Sequence, residues 1–111
     1  MNRKEAIIEE VMNIVIEHCG YSFMPVTKED IIGKRGNIVV QMTRCIFVTA
    51  LRLLRYSKPV IAAYMHRSEQ AIDDILYAAH TFKCVDSEWT YIMSEADVLR
   101  DCEKYKDVNI Q

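Results

Sequence analysis

The sequence predicts an all-α fold: a small helical domain with a long central helix, a helix-turn-helix and an acidic C-terminal helix. Three observations predict it. Apolar residues recur at helical spacing through most of the chain, serine and threonine stand where helix N-caps are needed, and no turn residue interrupts the long apolar stretch from Ile38 to Tyr56, although its β-branched start could also read as a strand. Its 111 residues, half of them hydrophobic and 27% charged, suit one soluble domain spanning residues 1–111.

Residues 3–19 set Ile7, Ile8, Val11, Met12, Ile14 and Val15 opposite Glu9, Glu10, Asn13 and Glu17, with Gly20 as a stop. This is an amphipathic helix. Thr27 then begins Thr27-Lys28-Glu29-Asp30, an N-cap hydroxyl followed by first-turn acids, so a short helix runs from here to Gly33. Lys34, Arg35 and Gly36 form an exposed corner. From Ile38 to Tyr56 an apolar-rich stretch is broken only by arginines, and its length exceeds that of a strand. It reads as the central core helix, with Val39, Val40, Met42, Ile46, Phe47, Ala50, Leu51, Leu53 and Leu54 inward and Arg44, Arg52 and Arg55 near one face.

Ser57 caps the next short helix, which carries Pro59 in its first turn, where a missing N–H is harmless. After His66-Arg67, Ser68 caps a further helix with Ala71, Ile72, Ile75, Leu76 and Ala79 inward and Glu69, Gln70, Asp73, Asp74 and Tyr77 outward. Two capped helices joined by about three residues make a helix-turn-helix at about 57–80, with Ala62-Ala63 allowing a close crossing. Beyond a break at Lys83–Ser87 comes an acidic helical extension over about 87–106, with Ser94 as a second cap, Trp89 as a packing anchor and a fraying end after Asp107.

The net charge is −2, but it is unevenly spread. Residues 28–83 carry nine Lys/Arg against five acids, whereas residues 84–111 carry three against seven. A basic middle between acidic ends is the pattern of an anion-binding face. Four well-separated cysteines, Cys19, Cys45, Cys84 and Cys102, read as buried thiols in a reducing cytoplasm. No apolar run approaches the length of a membrane span, and Glu9, Glu10 and Glu17 interrupt what would be the apolar part of a secretion signal.

In a helix-turn-helix the first helix braces on the DNA backbone while the start of the second enters the major groove. That geometry gives Arg67, Ser68, Glu69, Gln70 and Asp73 the reading positions, with Gln70 suited to adenine and Glu69 to the cytosine amino group. Other chemistry has little to stand on. His80 and Cys84 have i, i+4 spacing but lack a second clustered pair, so no metal is expected. Glu9-Glu10 and Asp73-Asp74 read as solvated helix faces, and no arrangement of nucleophile and base points to an enzyme. The three glycines form no phosphate loop, so neither nucleotide nor other cofactor is expected.

From about Ile7 to Ala79 the order of these features resembles the C-terminal duplex-binding domain of the DnaA replication initiators. Thr27–Ile32 with Lys34-Arg35 resembles that family's short helix and basic corner. Arg44-Cys45-Ile46 with Arg52 and Leu54 resembles its Arg-Gln-Ile helix, and Ser57-Lys58-Pro59-Val60-Ile61-Ala62 resembles its Ser-Leu-Pro-Glu-Ile-Gly. The resemblance implies a Trp-repressor-like helix-turn-helix in a bacterial or phage regulator of replication or transcription. It also implies phosphate or minor-groove contacts at Lys34, Arg35 and Arg44, with Ser57 and Lys58 beside them. The family's reading motif Arg-Asp-His-Thr-Thr meets Arg67-Ser68-Glu69-Gln70-Ala71 here and shares only the arginine, which implies altered base reading. The expected function is therefore non-catalytic duplex-DNA binding without the initiators' ATPase. The alternative is a helix-turn-helix turned to protein binding through its acidic second helix or the C-terminal helix.

Overall fold

The computed structural model describes residues 2–19, 25–85 and 95–106. Among them are six α-helices, one 3-10 turn and no strand: α1 Arg3–His18, α2 Lys28–Ile32, α3 Ile38–Leu53, α4 Lys58–Met65, α5 Glu69–Val85 and α6 Glu95–Cys102, followed by Glu103–Tyr105. None is long and apolar enough to cross a membrane. Gly20, Ser87, Trp89, Ser94 and Asp107 lie outside the described residues.

Helix α1 buries the six apolar residues that its spacing singles out, Ile7, Ile8, Val11, Met12, Ile14 and Val15. Its polar face is less idle than expected. Glu9 Oε1 accepts from Lys28 Nζ at 2.7 Å and from Tyr64 Oη at 2.6 Å, tying α1 to α2 and α4. Both partners favour the ionised carboxylate and hold it below the usual glutamate range, the Lys28 bond most strongly.

Helix α2 starts as a complete capping box: Thr27 Oγ1 accepts from the Asp30 N–H, and the Asp30 carboxylate accepts from the Thr27 N–H. Helix α3 is the core of the molecule and packs on α1, α2, α4, α5 and α6. Asn37 caps its start, and Val39, Val40, Met42, Ile46, Phe47, Ala50 and Leu51 are buried along it. Leu53, expected inward, is 55% exposed. The helix also ends three residues earlier than expected. Arg55 adopts a left-handed conformation (φ 71°), and the Tyr56 N–H reaches back to the Leu51 carbonyl in a Schellman-type stop. Glycine usually fills this position, so nothing in the sequence marked it. Arg44, Arg52 and Arg55 consequently do not share a face: Arg44 is buried in α3, Arg52 is exposed, and Arg55 has left the helix.

Helices α4 and α5 are joined through His66, Arg67 and Ser68. The Ser57 hydroxyl caps α4 by accepting from the Val60 N–H, and the Ser68 hydroxyl caps α5 by accepting from the Ala71 N–H. Between them His66 is the second non-glycine left-handed residue (φ 56°), with the Arg67 N–H bonded to the Ala62 carbonyl. Ala62 is buried at the crossing, whereas Ala63 is exposed. Helix α6 packs on α1 and α3 through Val98 and Cys102, and His18 Nε2 meets Asp101 Oδ2 at 2.6 Å.

Three of the four cysteines are buried as expected. Burial pushes the Cys19 and Cys45 thiols up to about 12 and the Cys102 thiol to about 11. Cys84 departs from that expectation: it is exposed on α5, with its Sγ 3.7 Å from His80 Nε2.

Candidate nucleic-acid interface

A five-residue helix has a problem at its C-terminus. The last four carbonyls of any α-helix lack intrahelical donors, and in α2 only Glu29 finds one, the Gly33 N–H. Two arginines supply the rest. Arg44, from α3, donates through Nε to the Ile31 carbonyl at 2.9 Å and through Nη2 to the Asp30 carbonyl at 2.8 Å. Arg67, from the turn before α5, donates through Nη2 to the carbonyls of Ile32 and Gly33. Two cations thus face the negative end of the α2 dipole and close its remaining acceptors.

The same contacts fix the basic corner. Arg44 Nη2 also reaches the Arg35 carbonyl at 2.8 Å, and Gln41 Nε2 donates to the Gly36 carbonyl at 3.0 Å. Gly36 has φ +145°, where a side chain is strained, and a Cβ there would run into Val40. The corner is therefore held by backbone contacts that leave the Lys34 and Arg35 side chains exposed.

The expected site residues divide into three groups. Lys34 and Arg35 are exposed as expected, and the Arg67 bond to Gly33 brings their corner beside the start of α5. Arg44 and Arg67 do not extend toward solvent. Arg44 is only 6% exposed, and its Nε and Nη2 serve carbonyls, a structural role that the sequence did not announce. Burial lowers the pKa of both arginines, and the charge of Arg67 lowers that of Arg44 further.

The third group lies at the start of α4 and on the outer face of α5. Ser57 and Ser68 spend their hydroxyls on caps. Lys58 pairs with Asp73 across α4 and α5, Nζ to Oδ1 at 2.5 Å, so a residue expected to hold phosphate neutralises one expected to read bases. Gln70 donates to Asp74 along α5 at 3.1 Å. Glu69, Gln70, Asp74 and Tyr77 are exposed, and Tyr77, 75% exposed, is the one large hydrophobic exposed on this helix among the described residues.

Sequence reasoning missed Arg67 and Arg44 as α2 caps and Glu9 as a three-helix junction. Among the described residues, no group of three or more His, Cys, Asp or Glu side chains is arranged to hold a metal. No protein family, curated protein or solved structure matches the chain.

Proposed function

We infer that the protein is a non-catalytic DNA-binding module that docks on duplex DNA through one composite face. That face comprises the Lys34-Arg35 corner, the start of α4 and the first turns of α5, with α4 and α5 acting as a helix-turn-helix of the kind found in the DnaA C-terminal domains. The observation that carries this reading is the double arginine clamp. By tying the corner to the turn before α5 it makes the free cations and the exposed start of the second helix one rigid surface. Phosphate contacts position such a protein and base contacts specify its site, so Lys34 and Arg35 supply position. Glu69 and Gln70, in place of the initiators' reading residues, supply whatever base preference exists.

Fluorescence anisotropy on a mixed-sequence duplex tests this reading. Binding falls as salt rises, with a slope of about −0.9 per phosphate neutralised, and Lys34→Ala/Arg35→Ala lowers that slope by about 2. Absence of duplex affinity at low salt sinks it.

A second reading is favoured by the charge of α5. With Arg67 turned inward and Lys58 paired to Asp73, its outer face offers Glu69 and Asp74 and no exposed cation among its described side chains. Such a face suits a basic protein segment. Glu69→Lys/Asp74→Lys separates the two: it tightens duplex binding under the first reading and abolishes partner binding under the second, where Lys34 and Arg35 are dispensable.

A further inference from the structure

A depression of about 260 Å³ lies between α3 and α5, and Lys34 and Arg35 are not among the residues that line it. Its lining includes Arg44 and Arg67, the apolar side chains of Ile75, Ala78 and Phe82, and Asp74. The two guanidinium groups are unusual in their company. Among the described residues no carboxylate lies within 4.0 Å of either, although Arg44 is 6% exposed and Arg67 is half-buried. Two like charges thus lie close together with only helix-end carbonyls and the more distant Asp30 charge to offset them, an arrangement that a bound anion would relieve.

The donors are not exhausted either. Arg67 Nε–H is buried and has no hydrogen-bond partner among the described residues. The carbonyl contacts occupy Nε and Nη2 of Arg44 and Nη2 of Arg67, so neither Nη1 group takes part in them. A buried charged donor without an acceptor is rare in folded proteins, where such groups are met by ordered water or an ion.

We propose that this depression binds a small organic monocarboxylate, its carboxylate on Arg44 and Arg67 and its apolar body against Ile75, Ala78 and Phe82. The planar guanidinium matches a carboxylate edge to edge, which is why arginine is favoured in such sites. The apolar wall gives the rest of the molecule a surface to leave water for. Asp74 sets the charge limit by repelling anions that carry a second negative charge, phosphate monoesters among them. The site does not depend on duplex binding, because Lys34 and Arg35 take no part in it.

The test is an NMR titration of the full ¹⁵N-labelled chain with benzoate, phenylacetate and hexanoate. Phenylacetamide and inorganic phosphate are the controls. At least one carboxylate shifts the amides of 71–82 and the Arg67 Nε–H signal saturably, with Kd roughly millimolar. Ala78→Leu narrows the depression without touching either arginine and weakens that binding by at least about tenfold, which corresponds to 1.4 kcal/mol. Circular dichroism establishes that this variant is folded. Three results overturn the proposal: no saturable shift with any carboxylate, equal binding of phenylacetamide, or the same shifts from inorganic phosphate alone. The last means an adventitious ion only.

Discussion

Replacing Arg44 with alanine separates a structural arginine from a DNA-contacting one. The Ile31 carbonyl, bonded to Arg44 in a buried position, would lose its donor, at about 1–3 kcal/mol. The carbonyls of Asp30 and Arg35 are half-buried, so water replaces the guanidinium there at a net loss of about 0.5–1.5 kcal/mol each. Two side-chain methylenes lose their packing, at about 0.8 kcal/mol apiece. Against this stand the relief of a desolvated charge and of its repulsion with Arg67. The expected net destabilisation is about 3 kcal/mol.

Urea denaturation followed by circular dichroism reads it. With m of about 1.5 kcal/mol/M the midpoint falls by about 2 M, and Arg44→Lys, which keeps the charge but not the fork, falls about half as far. Lys34→Ala/Arg35→Ala, confined to exposed side chains, stays within about 0.5 kcal/mol of the parent. Duplex affinity then gives the opposite ranking. Measured where it is fully folded, Arg44→Ala weakens duplex binding less than the double variant does, because it loosens the corner without removing either of its exposed cations. An Arg44→Ala midpoint indistinguishable from the parent's would refute the clamp as the reason for this arginine.

Three further expectations rest on other parts of the fold. Thiol alkylation of the native chain modifies Cys84 quickly and leaves Cys19, Cys45 and Cys102 protected until unfolding, because only Cys84 is exposed and burial raises the other three; mass spectrometry of the labelled peptides checks this. Arg55→Gly and His66→Gly each stabilise by about 0.5–1 kcal/mol, since both residues hold left-handed backbone that glycine adopts without a Cβ clash, and thermal melts read the gain. Glu9→Gln lowers stability at pH 7, and its deficit relative to the parent shrinks as pH falls below the usual glutamate value of 4.5. The sign follows because the folded carboxylate has the lower pKa, so its contribution is complete above the unfolded value and disappears as the folded group protonates. A deficit independent of pH would show that the ionised carboxylate is not what joins α1 to α2 and α4.

How much of this was legible in the sequence depended on the range of the interaction. The caps at Thr27, Ser57 and Ser68 were readable because each joins a side chain to backbone three residues away. The inward face of α1 was readable because one period describes it. The ends of α3 and α4 were harder: Arg55 and His66 make the turn that glycine normally marks, held there by the bonds that the following residues, Tyr56 and Arg67, make back to Leu51 and Ala62.

The arginines were least legible of all, because their roles are set by a different element. Nothing near Arg44 or Arg67 in sequence announces an acceptor, and a basic residue beside a helix-turn-helix invites a phosphate. The signal lay in α2 itself. A helix of five residues, with no basic side chain in its last turn and a C-cap, Gly33, in extended rather than left-handed backbone, cannot close its own carbonyls. It must borrow donors. Arg67, placed by its sequence position at the start of the second helix of the pair, donates to carbonyls of the protein instead, so position alone is no guide to base contact. What remains for DNA is the corner that this arginine helps to hold, and Lys34 and Arg35 become the residues on which the DNA-binding proposal stands.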